Sequence, residues 1–215
     1  QAALATKGLA RSQITVLDAL LKLRQVCCDP ALVPLEAAKK VKASAKMDWL
    51  IENLPAMVEE GRRILVFSQF TSMLTLIEKA LAKTSLSWVK LTGQSQKREA
   101  IIEQFTSGQV PLFLISLKAG GVGLNLPQAD TVIHVDPWWN PAAEDQATDR
   151  AHRMGQQSTV FVYKLVAQGT LEERIVAMQA RKAALAKGLH GDALSEPTRL
   201  TEGELDWLLQ PIGAA

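Results

Sequence analysis

From about Gly61 onward the sequence predicts an α/β fold, a mostly parallel sheet with helices on both faces, flanked by helical arms at both ends. Two observations carry this expectation. Continuous apolar runs such as Ile64-Leu65-Val66-Phe67 and Leu112-Phe113-Leu114-Ile115 have the length of strands buried on both faces, where no polar residue needs to alternate. Between the runs lie stretches whose apolar residues recur at helical spacing, so that strand and helix alternate along the chain.

The elements follow in order. From Ser12 to Val26 the residues Ile14, Leu17, Leu20, Leu21 and Leu23 recur at helical spacing, and Asp29-Pro30 stops the helix. Pro34 to Lys46 carries Lys39, Lys40, Lys42 and Lys46 among small residues and reads as a basic linker, either a solvated connector or a strip that contacts phosphate. A second helix starts near Ser44 and carries Met47, Leu50, Ile51 and Leu54. Strands are expected at Ile64–Phe67, Ser87–Leu91, Leu112–Ile115, Thr131–Val135 and Val160–Leu165, with helices near Ser72–Ala82, Ser95–Phe105 and Ala142–Arg153. A further helix opens at Thr170, with Glu173 completing a capping box, and a last one opens with a similar box at Thr201 and Glu204. The expected division is a helical segment with its basic linker (1–60), the α/β lobe (61–168) and a C-terminal helical extension (169–215).

The chain length, 215 residues, suits one domain plus an extension, and 47% apolar with 21% charged residues describes a soluble globule able to bury a sizeable core. Disorder, collagen and coiled coil are excluded as descriptions of the whole. No apolar run approaches the ~18 residues of a membrane span. A net charge of +2 gives no bulk electrostatic case for nucleic acid, so any such contact must rest on local placement of charge. Cys27 and Cys28 are adjacent, which strains a mutual disulfide and leaves no metal-site spacing; a reducing, intracellular compartment fits best. Gln1 in place of an initiator Met suits a piece cut from a longer chain.

Two segments could carry chemistry. The first, Ser116-Leu117-Lys118-Ala119-Gly120-Gly121-Val122-Gly123-Leu124-Asn125, follows directly on an apolar strand. Ligands of open α/β sheets bind beyond the carboxyl ends of strands, and clustered glycines let backbone N–H groups approach an anion. Glycines also serve plain tight turns, and both readings stay open here. The spacing is not that of a dinucleotide fingerprint, and no Gly-Lys pair exists to complete a Walker A loop.

The second segment runs from Asp136 to Gln156. Asn140-Pro141 is a strong helix start, with Asn as N-cap and Pro at the first helical position. Gln146, Arg150 and Arg153 then stand at i, i+4 and i+7 and share one face, Asp149 can hold Arg153, and Gly155 ends the helix. Guanidinium is always charged and grips phosphate in a fork, so this face suits a phosphate chain, or else is a solvated face with an ordinary salt bridge. Trp138 and Trp139 read as packing residues. His134, His152 and His190 have neither metal-ligand spacing nor a nucleophile partner, and His152 is assigned to packing or a supporting hydrogen bond. No metal site and no acid–base catalysis are expected within this chain.

With these segments in order, the chain resembles the second RecA-like lobe of a SWI/SNF-family DNA-dependent ATPase of helicase superfamily two. Leu20 through Pro30 is similar to the family's helix before the lobe, and Ser44-Ala45-Lys46-Met47 to its Ser-x-Lys segment. Ile64-Leu65-Val66-Phe67-Ser68-Gln69-Phe70 matches motif IV. Leu91-Thr92-Gly93 with Arg98 and Phe105 matches the next motif, the glycine loop resembles motif V, and Gln146 through Gln156 resembles motif VI. The resemblance implies that Arg150 and Arg153 are arginine fingers acting on the γ-phosphoryl group of ATP, with Gln146 aligning ATP or its water and Asp149 orienting the fingers. It implies that Ser68, Gln69, Thr92, Gly93, Ser116, Lys118 and Gly120 line the path of one strand of double-stranded DNA through phosphate contacts, and that Gly121 and Gly123 couple nucleotide state to DNA grip.

Neither a Walker A loop nor an Asp-Glu box is present, so an upstream RecA-like lobe of the parent would hold ATP and its Mg²⁺. The isolated fragment is then expected to be monomeric and without ATPase activity. The tail Leu200–Leu209 looks like that of bacterial members, which implies a cytoplasmic, nucleoid-associated protein, or a nuclear one if the parent is eukaryotic. The competing reading is a non-enzymatic DNA-binding or protein-docking module; a dinucleotide enzyme is disfavoured by the glycine spacing.

Overall fold

A computed structural model describes residues 9–120, 124–151, 159–188 and 201–210. Among them α1 (Leu9–Cys28), a short 3-10 turn (Pro30–Leu32), α2 (Glu36–Lys39) and α3 (Ala45–Glu59) precede the sheet. The α/β part follows as β1 (Ile64–Ser68), α4 (Thr71–Leu81), β2 (Trp88–Leu91), α5 (Arg98–Thr106), β3 (Leu112–Ser116), α6 (Leu117–Gly120), β4 (Thr131–His134), α7 (Pro141–Thr148) and β5 (Phe161–Lys164). The arm helices α8 (Leu171–Gly188) and α9 (Glu202–Leu209) come last.

The sheet is five-stranded in the order β2-β3-β1-β4-β5, and every pairing is parallel. Side chains alternate across it as strand geometry requires. Ile64, Val66, Leu112, Leu114, Ile133 and Val135 face one layer, with Leu50 and Leu54 of α3 and Met73, Leu74, Ile77 and Leu81 of α4. Leu65, Phe67, Phe113, Ile115 and Val132 face the other, with Phe105 of α5, Ala147 of α7 and Trp138. The expected parallel α/β fold is therefore the observed one, and the continuous apolar runs are the strands buried on both faces.

The arms form a third core in which Leu20 of α1, Leu171, Ile175 and Met178 of α8 and Leu208 of α9 enclose a common centre, with Trp139 against it. The helix expected from the apolar spacing forms, and of the residues that mark it Leu20 is buried while Ile14, Leu17, Leu21 and Leu23 stay exposed, so that α1 packs through Leu20, Arg24 and Cys28.

Lys46 also departs from expectation. Far from lying on a solvated linker, it is 5% exposed, donates to the Val135 carbonyl at 2.5 Å and pairs with buried Glu172 of α8 at 2.7 Å. Glu172, not Glu173, completes the start of α8. Its carboxylate accepts from Ala167 N–H at 2.8 Å while the Thr170 hydroxyl accepts from the Glu172 N–H, and Glu173 is exposed. The box at Thr201 and Glu204 forms as expected.

Removing one member of a buried ion pair strands the other charge, so Lys46→Ala is expected to lower stability by about 3–5 kcal/mol in urea unfolding. Lys46→Met with Glu172→Gln is expected to lose less, because no charge is then left buried alone; equal losses would contradict this account of the pair.

Candidate functional site

At the carboxyl edge of the sheet, Leu91 pairs with Ile115 and Ser68 with Ser116, so the segments after β2, β3 and β1 lie side by side. The structure thus brings together Thr92 and Gly93, Ser116 through Gly120, and Ser68 and Gln69, which sequence order separates. Their exposure differs. Gly93 and Lys118 are exposed, and Gln69 and Thr92 are partly so. Ser68 and Ser116 are buried: the Ser68 hydroxyl donates to Asp136 Oδ1 at 2.6 Å, and Ser116 Oγ accepts from Ala119 N–H at 3.4 Å. Thr92 N–H donates to Ser95 Oγ at 2.8 Å, which shapes the turn after β2.

Gly120 is buried for a packing reason. A Cβ there would meet the Phe67 ring at 3.1 Å, and because Phe67 is fully enclosed, a larger residue would have to push that ring aside by a few tenths of an ångström. Arg98 holds the same loop from α5, donating to the Ala119 carbonyl at 2.7 Å. Gly121 and Gly123 lie outside the described residues.

From β4 the chain runs through Val135–Trp138, all buried, into α7. Asn140 caps that helix, its Oδ1 accepting from Ala142 N–H at 3.0 Å, with Pro141 at the first position as expected. The helix is shorter than the spacing predicts: it closes at Thr148. Arg150 and Ala151 N–H then donate to the Ala147 and Thr148 carbonyls three residues back. This tighter winding breaks the expected common face. Gln146 points to solvent, whereas Arg150 is 6% exposed and donates from Nη1 to the Leu124 carbonyl at 3.2 Å. The Arg150 carbonyl accepts from Leu126 N–H at 2.9 Å, so both ends of the residue are fastened to the segment leaving the glycine loop. Asp149 is exposed; Arg153, His152 and Gly155 lie outside the described residues. His134 Nε2 lies 3.0 Å from the Thr148 hydroxyl, which puts the end of α7 beside the end of β4.

The electrostatics below Arg150 are set by burial. Asp136 is pushed up to about 6 by desolvation, only partly offset by the Ser68 hydroxyl, Arg24, Lys46 and the Gln69 N–H. Burial also pushes His134 down to about 4, so its ring is neutral at neutral pH, in keeping with its place between Phe67 and Trp138. Arg24 is lowered by burial, and its guanidinium lies 4.6 Å from the Trp139 ring centre and 5.4 Å from that of Phe70. Burial raises both Cys27 and Cys28, which keeps the thiols protonated. Among the described residues, no group of three or more His, Cys, Asp or Glu could hold a metal ion, and no helix is long and apolar enough to cross a membrane.

Comparison with known proteins adds the decisive finding. Residues 45–155, half of the chain, match the family model described as the helicase conserved C-terminal domain. The chain belongs to that family. Within it, the chain is 36% identical to the Sulfolobus solfataricus SWI2/SNF2 ATPase core in complex with dsDNA, with a TM-score of 0.69 over 87% of this chain and 40% of that one. An uncharacterized ATP-dependent helicase of Mycoplasma pneumoniae is 39% identical over 81% of this chain and 17% of its own length. The DNA repair protein RAD5A of Arabidopsis thaliana is 38% identical over 78% of this chain and 17% of its own length. The expected membership of the SWI/SNF-type helicases, and the RecA-like α/β lobe, therefore stand. The chain spans about a fifth or less of the length of these curated relatives.

The sequence reading met Lys46 only as part of the basic linker and the Ser-x-Lys segment, and it gave no part to Arg24, Glu144, Glu172 or Gln179, which the structure buries around the segment that leads into α7. Their one visible signal was a charged or amide residue amid apolar neighbours on a helix, which does not say what it will meet.

Asp136 binds its proton more tightly in the folded than in the unfolded chain, so its contribution to stability is full below about pH 4 and falls as pH rises to about 6. The stability of Asp136→Asn relative to wild type is accordingly expected to rise by on the order of 3 kcal/mol between pH 4 and pH 6, then level off. Denaturant unfolding across that range checks this; a pH-independent difference would contradict it.

Proposed function

We propose that this chain is the second motor lobe of an ATP-dependent double-stranded-DNA translocase or remodeller. The RecA-like part (61–168) would work between the arms (1–60 and 169–215), with the phosphate cradle supplied by an upstream lobe of the parent. The observation that carries the reading is Arg150, a buried guanidinium fastened to Leu124 beside the carboxyl edge of a parallel sheet. A guanidinium has five N–H donors in a rigid fork, so a bond from one of them to a carbonyl does not exclude a bond from another to a phosphate. In this reading Arg150 and Arg153 meet the charge that develops on the γ-phosphoryl group, Gln146 aligns ATP or its water, and Asp149 orients the fingers. Gly121 and Gly123 give the adjoining loop the freedom to respond to nucleotide.

The DNA strand would pass over the carboxyl edge. Lys118, Gly93, Thr92 and Gln69 offer phosphate contacts there, while Ser68, Ser116 and Gly120 shape the edge from beneath. ATP would arrive with Mg²⁺, which the upstream lobe would hold; this chain's own part is to orient and neutralise phosphate. The relatives' ATP-dependent helicase and DNA-repair names, and the duplex bound by the Sulfolobus core, support the reading. They also suit a DNA-associated compartment, the cytoplasmic nucleoid of a bacterium or a nucleus.

In the full-length parent, Arg150→Ala is expected to lower DNA-stimulated ATP turnover by about 10³-fold or more while nucleotide binding stays within a few-fold, and the isolated chain is expected to show no turnover. Wild-type turnover in Arg150→Ala, or clean ATPase activity in the isolated chain, would refute it.

A further inference from the structure

Glu144, in the first turn of α7, is 1% exposed. It accepts from Trp138 N–H at 3.0 Å and from Gln179 Nε2 at 2.5 Å, and Lys164 of β5 lies 2.9 Å from its other oxygen. Burial works to raise its pKa, but these donors outweigh burial and hold it below the usual carboxylate value, so it is ionised at neutral pH. Gln179 comes from the middle of α8, a helix of the C-terminal arm, and is itself 7% exposed. Its single amide nitrogen also donates to the Trp138 carbonyl. One side chain thus uses both amide hydrogens to tie the last turn of the connecting segment to the first half of α7.

We infer that Gln179 is a positioning residue that sets the aim of Arg150. The inference rests on the finger reading above and adds to it a part for the C-terminal arm. Arg150 lies six residues beyond Glu144, four of them in α7 and two in the tighter turn after it, about 10 Å along the axis. A tilt of ~6° about Glu144 therefore displaces it by about 1 Å, an error that can cost about 10²-fold in rate. Asn140 fixes where α7 begins but is exposed and cannot fix its direction. Glu144 can, because it is held at the same time from the preceding loop, from β5 and from α8. Of these, the hold from α8 comes from the helix that carries Ile175 and Met178 of the arm core, so Gln179 ties the C-terminal arm to α7.

The test uses the full-length parent with duplex DNA. Gln179→Met keeps the volume and removes both donors. It is expected to lower kcat for ATP hydrolysis 10- to 100-fold per folded molecule, with KM for ATP and Kd for duplex DNA within about threefold. A purely structural role would lower the unfolding temperature and leave kcat per folded molecule unchanged. Should Gln179→Met not fold, Gln179→Asn carries the same test, its amide being one methylene too short to span both acceptors, with the same expected drop. A kcat within twofold of wild type in the folded variant, beside an inactive Arg150→Ala, overturns the inference and leaves the proposed function standing. Full turnover in Arg150→Ala overturns both.

Discussion

The backbone of residues 135–138 leaves the sheet without leaving the interior, and its carbonyls must find donors where no water or strand can supply them. A buried carbonyl without a partner costs about 1–3 kcal/mol, so this short stretch sets a demand that neighbouring elements have to meet. They meet it with side chains drawn from both ends of the chain. Lys46 of α3 reaches the Val135 carbonyl, Arg24 of α1 and Gln69 after β1 reach Pro137, and Gln179 of α8 reaches Trp138. The two charged donors are matched in turn, Lys46 by Glu172 and Arg24 by Asp136.

The arms are therefore more than a covering for the lobe. Their apolar core, built on Leu20, Ile175 and Met178, meets the connecting segment through Trp139, and their polar residues hold its backbone. Because α7 grows directly out of that segment, the position of Arg150 is inherited from contacts more than twenty residues away in sequence on either side. A lobe cut down to its sheet and covering helices would lose the side chains that satisfy the carbonyls of Val135, Pro137 and Trp138 from the arms.

The interior of the sheet was legible in the sequence because strands buried on both faces leave a plain mark, an unbroken apolar run, as β1 and β3 do. That mark does not separate edge from centre: β5 reads the same way, yet Phe161 and Val162 are exposed at the sheet's margin. Helix starts were legible where a cap has a local signature, at Asn140-Pro141, Ser44 and Thr201. Thr170 shows the limit, since its neighbour Glu172 is drawn inward by Lys46, a partner that local spacing cannot reveal. The end of α7 falls short of the expected Arg153 for a related reason. Helical periodicity continues past Thr148, but the Leu124 carbonyl, far off in sequence, gives Arg150 a bond that favours a tighter turn. The set of candidate residues along the carboxyl edge was readable as motifs, whereas their division into exposed groups and buried supports depended on packing.

The central claim is that the segment from Val135 to Ala151 is locked to the sheet as one cooperative unit. Native-state hydrogen exchange tests it most directly. The account predicts that the amides of Val135, Trp138, Asp149, Arg150 and Ala151 exchange only through the same global opening as the amides of β1, β3 and β4. Exchange of the Trp138 and Arg150 amides through a local opening about 3 kcal/mol or more below the global one would contradict it.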